Sequence, residues 1–162
     1  MADTQEQAAD APVQGWRRTL AVAGLGIALG AFVLTLLLVA NSLLRSAGEL
    51  YAGMSASTFL QISRVLSQAW AGLLAIGGVV GLLGLVTGRG RRHRWASGLL
   101  VLAFLLALGW TMLVLWLPFT QSDAAIAFVL IQETLELATM LIVMALTWGS
   151  WTLYRRVLGE AR

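Results

Sequence analysis

Two long runs without a charged residue, joined by a short arginine-rich segment, constrain this chain more than any other feature. The runs cover residues 65–88 and 95–122. Between them, or at the edge of the second run, lie Arg89, Arg91, Arg92 and Arg94. Each run exceeds the roughly 20 apolar residues that cross a bilayer core of about 30 Å, and arginine accumulates in cytoplasmic loops beside such spans. The pattern predicts two transmembrane helices joined by a cytoplasmic loop whose arginines contact lipid head groups.

The remaining sequence extends this hairpin to four spans. Predicted spans lie at about 19–44, 60–88, 95–117 and 128–154. Arginines also mark the start of the first span and the end of the fourth, which indicates that both termini are cytoplasmic. The predicted fold is all-α, an integral membrane four-helix transmembrane bundle of the multi-pass type, placed in a bacterial inner membrane. Residues 1–15 are polar and predict a disordered cytoplasmic tail, and residues 157–162 form a second cytoplasmic tail.

Composition excludes several classes of function. Hydrophobic residues make up 59% of the chain and charged residues 12%, about half the charged fraction of a soluble domain. The net charge of +3 does not indicate nucleic-acid binding, because the arginines cluster where membrane topology requires them. No cysteine is present and His93, assigned to the basic loop, is the only histidine. We therefore expect no metal site, no haem or iron–sulfur cofactor and no catalytic residues.

Glycines indicate where helices approach each other closely. Gly26 and Gly30 have the GxxxG spacing of close helix pairs in lipid, and they serve either as a dimerisation face or in packing within the chain. In the second span Gly77, Gly81 and Gly84 fall on one helical face with Gly88. This second face is the predicted central seam of the bundle.

Two short polar faces break the apolar pattern far from the arginine-rich loop. Gln61, Arg64 and Gln68 share a face of the second span. Gln132, Glu133 and Glu136 form a similar cluster on the fourth. At 1.5 Å per residue, Arg64 lies about 37 Å from Arg89, and Glu136 about 28 Å from Arg155, so both lie near the outer boundary of the hydrocarbon. Three interpretations are open: an ion pair between the spans, a site for a proton, cation or polar head group, or a contact surface for another subunit.

The sequence favours a non-catalytic accessory or scaffold subunit of a larger membrane complex. Besides the lipid bilayer, its expected partners are other membrane subunits or a second copy of itself. The alternative is a small transporter, or an ion- or proton-translocating protein that uses the outer carboxylates. An enzyme is not expected, since these residues supply no nucleophile with a nearby base and no metal cluster.

Overall fold

The structure, a computed structural model, describes the backbone of residues 2–47, 56–88, 90–116 and 125–160. Side chains are described for most of these residues from Gly15 onward. Four helices account for nearly all of the described backbone: α1 (Ala2–Ala47), α2 (Ala56–Thr87), α3 (Arg91–Trp116) and α4 (Ala125–Glu160). The prediction of an all-helical fold with four long apolar helices is confirmed for this part of the chain.

The four helices form a ring in which each packs on two neighbours. The neighbouring pairs are α1 with α2, α2 with α3, α3 with α4, and α4 with α1. α1 and α3 also make a small contact across the centre. The start of α3 meets the end of α4, because His93 and Tyr154 have ring centroids 5.6 Å apart. We call this end of the bundle the arginine end, since Arg17, Arg91 and Arg155 all belong to it.

A glycine makes the tight connection between α2 and α3 possible. Gly90 has a φ of +105°, in the left-handed region where a Cβ would be strained. The Gly88 amide closes α2 by donating to the Gly84 carbonyl oxygen, and the Arg94 amide opens α3 by donating to the Gly90 carbonyl oxygen. As a result α3 begins at Arg91. The arginines that the sequence assigns to a loop, where described, therefore lie on the first turn of a helix.

The amino-terminal segment also differs from its expectation. α1 begins at Ala2, whereas the polar composition of residues 1–15 predicts a disordered tail. Alanine and glutamine in this segment favour a helix, Pro12 and Gly15 disfavour one, and extending an existing helix does not require a new nucleus. The segment is part of α1 in the structure, and its position on the cytoplasmic side stays a prediction.

The core is divided into two buried clusters along the bundle axis. The larger one contains Leu38, Trp70, Leu74, Met140 and Val143, with several alanines between them. The smaller one lies at the arginine end and includes Leu100 and Tyr154. Alanines in both clusters let the helix backbones approach closely, as small residues do between membrane helices.

The outer surface of the bundle is strongly apolar. Val65, Val79, Val86, Leu105 and Met112 are exposed, and Val86 is 85% exposed. Each helix contains a segment long and apolar enough to cross a membrane: Gly15–Leu43, Gln61–Thr87, Arg91–Val114 and Thr134–Gly159. An apolar exterior of this extent is unfavourable in water and favourable in lipid. These features indicate a multi-pass membrane protein.

Candidate functional site

A cavity of about 340 Å³ lies between the helices, far from the arginine end of the bundle. α2 contributes Arg64, Gln68 and Trp70 to its wall, α3 contributes Trp110, and α4 contributes Glu136. The rest of the lining is mostly apolar and comes from all four helices, with two hydroxyl-bearing side chains: Leu38, Ser67, Ala71, Thr111, Val114 and Met140. A mostly apolar cavity with a few converging polar groups is the usual form of a small-molecule site.

One wall of the cavity is held rigidly by a buried hydrogen bond. The Trp70 indole Nε1–H donates to Thr35 Oγ1 over 2.9 Å, joining α2 to α1. Thr35 in turn donates to the Ala31 carbonyl oxygen over 2.6 Å. Both side chains are buried, so the indole plane is fixed before any ligand binds. A preorganised wall of this kind lowers the ordering cost of binding.

A second interhelical bond braces α1 and α2 at the same end. Asn41 Nδ2 donates to Ser63 Oγ over 3.0 Å. Ser63 precedes Arg64 on α2. The bond therefore fixes the helix turn from which the Arg64 side chain emerges.

The polar groups of the cavity differ in charge and in exposure. Arg64 and Gln68 are exposed, and Glu136 is partly buried. Along the helix axes Arg64 lies about 35 Å from Thr87, and Glu136 about 28 Å from Arg155. The cavity thus lies far from the arginine end. Among the described lining residues Arg64 is cationic and Glu136 is anionic, and this pair is suited to a ligand that carries both charges on an apolar body.

The structure brings together three of the five residues that the sequence proposes for ligand or ion binding. Arg64, Gln68 and Glu136 line the same cavity. Gln61 is exposed one turn before Arg64, outside the lining. The side chains of Gln132 and Glu133 lie outside the described residues. Since α2 and α4 are diagonal in the ring, Glu136 shares the cavity with Arg64 and Gln68 but does not belong to a direct helix contact with them.

The glycine face of α2 packs against α3 of the same chain. A Cβ on Gly81 would lie 2.9 Å from the Ser97 carbonyl oxygen, and a Cβ on Gly84 would overlap Ser97 Oγ. Gly77 lies at the meeting of α1, α2 and α3, where a Cβ would approach Ile27 to 3.0 Å. This face is therefore the seam between α2 and α3.

Gly26 and Gly30, the two glycines of the GxxxG spacing in α1, lie in different environments. A Cβ on Gly30 would lie 2.9 Å from Leu73 Cδ2, so Gly30 packs on α2. A Cβ on Gly26 would meet nothing within 4 Å, so Gly26 lies open on the outside of the bundle. Gly30 therefore serves packing within the chain, whereas Gly26 remains on the open outer surface.

The arginines proposed to contact lipid head groups do not share one environment. Arg91 and Arg94 line a groove beside the α2–α3 turn, together with Trp95. Arg92 does not line that groove, and it makes an interaction elsewhere. Arg89 lies outside the described residues.

A buried polar cluster at the arginine end was not predicted from the sequence. His93 lies in α3 and is only 7% exposed, so its assignment to the basic loop is wrong. Ser97 Oγ lies 2.9 Å from the Tyr154 hydroxyl and 3.5 Å from His93 Nδ1. Ser150 Oγ donates to the Ala96 carbonyl oxygen over 2.9 Å and adds a second polar link between α4 and α3.

At the arginine end two nitrogens are buried without a hydrogen-bond partner among the described residues: Arg17 Nε and His93 Nε2. The sequence does hold a signal for the cluster. His93 and Ser97 have i, i+4 spacing, which places them on one helical face once α3 begins at Arg91. Gly84 and Gly88 then leave the space that the imidazole occupies.

Comparison with protein-family models, with curated proteins and with solved structures finds no match to this chain.

Proposed function

We propose that the chain is a multi-pass inner-membrane protein that binds a small amphiphilic solute in the cavity between α2, α3 and α4, as a small transporter does. The observation that carries this proposal is the convergence of Arg64, Gln68 and Glu136 on one cavity walled by Trp70 and Trp110. Ionisable groups within membrane-spanning segments that face a cavity commonly mark a substrate path.

The proposed orientation places the cavity at the outer leaflet. Arg17, Arg91 and Arg155 lie at one end of the bundle, and arginine-rich ends face the cytoplasm. Both termini are then cytoplasmic, and solute enters from the outer side past the exposed Arg64. The large apolar exterior fits this placement in lipid.

The charges define the solute class. Arg64 favours a carboxylate or phosphate group, and Glu136 favours an ammonium group. The two indoles and the neighbouring aliphatic residues favour an apolar or aromatic body. A zwitterion with an aromatic body therefore satisfies the whole cavity. The proposed function is binding and transport without catalysis, and the Ser67 hydroxyl at the cavity wall is engaged with the Ser63 carbonyl oxygen, to which it donates.

Three probes with a similar aromatic body and different heads test this proposal. Purified protein in mild detergent is titrated with phenylalanine, phenethylamine or 3-phenylpropionate, and the thermal unfolding midpoint is recorded. We expect phenylalanine to raise the midpoint in a saturable manner and to bind more tightly than either singly charged probe. Absence of stabilisation by all three probes would reject the cavity as a solute site.

Charge variants then assign the two ends of the cavity. Glu136→Gln is expected to remove the preference for the ammonium group, and Arg64→Gln the preference for the carboxylate. Arg18→Gln, at the opposite end of the bundle, is the control and is expected to bind like the unaltered protein. Transport is measured by uptake of the preferred probe into proteoliposomes, which Glu136→Gln is expected to abolish.

A second candidate is an accessory subunit of a membrane complex, and the open position of Gly26 favours it. Val22, Leu29 and Val33 are exposed on the same side of α1. A helix of another subunit, or of a second copy, could pack closely there. Co-purification in mild detergent tests this candidate. A protein that co-purifies with the unaltered chain but not with Gly26→Leu supports this candidate. If every protein that co-purifies with the unaltered chain also co-purifies with Gly26→Leu, the candidate is contradicted.

A further inference from the structure

The groove beside the α2–α3 turn has a charged end and an apolar end. Its volume is about 670 Å³. Arg91 and Arg94 line the charged end, and Leu85 and Gly98 line the apolar end. Trp95 lies on the same face of α3 as both arginines, since positions 91, 94, 95 and 98 follow a helical spacing of three and four.

The charged end is suited to a phosphodiester. Two exposed guanidinium groups one helical turn apart can each donate two hydrogen bonds to phosphate oxygens. None of the described residues lining the groove is acidic, so no carboxylate competes for these arginines within it. The groove also lies at the start of α3, where the first backbone amides and the helix dipole favour an anion.

The apolar end is suited to a hydrocarbon chain. A Cβ on Gly98 would lie in ordinary van der Waals contact with Leu85 Cδ2 at 3.9 Å, so the glycine leaves a shallow apolar channel beside Leu85, between α2 and α3. Trp95 is 58% exposed beside this channel. An exposed indole at the level of the arginines is typical of the membrane interface. The volume exceeds the need of a single inorganic anion and lies in the range of sites for larger molecules.

We infer that this groove is a binding site for one anionic glycerophospholipid, with its phosphate on Arg91 and Arg94 and the start of an acyl chain along Leu85 and Gly98. Charge complementarity selects an anionic lipid over a zwitterionic one, and the apolar channel selects a lipid over a free anion. This inference depends on the proposed insertion into a membrane, but not on the solute cavity at the opposite end of the bundle.

The test counts bound lipids by native mass spectrometry of detergent-purified protein. The probes are short-chain phosphatidylglycerol, short-chain phosphatidylcholine and inorganic phosphate. We expect one phosphatidylglycerol to bind in preference to phosphatidylcholine, and a large excess of inorganic phosphate to leave it bound. Equal binding of both lipids would overturn the inference. Displacement by inorganic phosphate would identify a simple anion site instead.

Matched variants locate the lipid. Arg91→Gln with Arg94→Gln is expected to weaken phosphatidylglycerol binding about 30-fold, because each basic residue near an anionic surface contributes about fivefold. Arg18→Gln with Arg156→Gln removes the same charge at the same end of the bundle and is expected to retain the lipid. Equal affinity in the two double variants would overturn the inference.

A third variant keeps the test independent of the arginines. Gly98→Leu fills the apolar channel without a backbone clash, and it is expected to release phosphatidylglycerol with both arginines present. Retention of the lipid by this variant would remove the acyl-chain contact from the proposal. Resistance of the protein to alkaline carbonate extraction is measured first. A chain that fails that test overturns membrane insertion itself, whereas an inserted chain without lipid preference overturns only the groove.

Discussion

The Ser97 hydroxyl and the Tyr154 hydroxyl lie 2.9 Å apart and join α3 to α4 inside the bundle. Both residues have no exposed surface. Either oxygen can donate, and the bond places the Tyr154 ring at the edge of the His93 imidazole. The Tyr154 ring also occupies the space beside Gly24 of α1, where a Cβ would lie 2.6 Å from Tyr154 Cζ. One hydrogen bond therefore fixes the packing of three helices at the arginine end.

The coupling between these two hydroxyls can be measured directly. Tyr154→Phe, Ser97→Ala and the double variant form a double-mutant cycle, with unfolding in detergent as the readout. We expect a coupling of about 1 kcal/mol, since interhelical hydrogen bonds of membrane proteins fall near this value. Strictly additive effects of the two substitutions would show that the hydroxyls do not interact.

The hydrogen bond between Trp70 and Thr35 is expected to stabilise the core and to shape the cavity. Thr35→Val keeps the volume but leaves the buried indole N–H without its acceptor, which costs about 1–3 kcal/mol. The measurement is the free energy of unfolding in detergent. Thr87→Val is the control because the Thr87 hydroxyl donates only to the Leu83 carbonyl oxygen at an exposed position. Its effect should stay within about 0.5 kcal/mol, and equal losses in both variants would contradict the assignment.

A methyl group added to the seam between α2 and α3 is expected to destabilise the protein. Gly81→Ala places a Cβ 2.9 Å from the Ser97 carbonyl oxygen and 2.8 Å from Val101 Cγ2, so a backbone must move. We expect a loss of about 1–3 kcal/mol in unfolding free energy. Gly26→Ala enters open space and is expected to be neutral, or stabilising by up to about 1 kcal/mol through helix propensity. Tolerance of alanine at Gly81 would contradict the close packing.

A matched pair of alanines on α2 tests whether the cavity is the solute site. Ala71 lines the cavity, whereas its near neighbour Ala69 is exposed outside the lining. Ala71→Leu should fill the site and abolish the midpoint increase produced by phenylalanine. Ala69→Leu should leave that increase unchanged. Loss of the response in both variants would indicate a general effect on the bundle.

The absence of cysteine from the sequence makes orientation directly testable. Gln61→Cys and Gly159→Cys place single thiols at exposed positions of opposite ends. With a membrane-impermeant maleimide on intact cells, we expect Gln61→Cys to react at once and Gly159→Cys to react only after permeabilisation. The reverse order of labelling would place the arginine end outside and invert the proposed topology.

The sequence by itself determined the number of helices, their approximate limits and the grouping of the arginines. Hydropathy and the length of an apolar run are local properties, so the four apolar segments could be located from the hydropathy along the sequence. The spacing of Arg64 and Gln68, and of Gly81 and Gly84, also placed these residues on common faces without any tertiary information.

Only the tertiary structure decided which faces meet. The spans are apolar almost all round, so no amphipathic stripe indicates how each helix is rotated or which helix lies beside it. The order of the four helices around the bundle, and the rotation of each about its axis, bring Glu136 to the same cavity as Arg64 and Gln68. They also direct the α2 glycines toward α3, and they bury His93 against Tyr154 where a basic loop was expected. Rotation and order depend on close packing between helices, which the local apolar pattern does not encode.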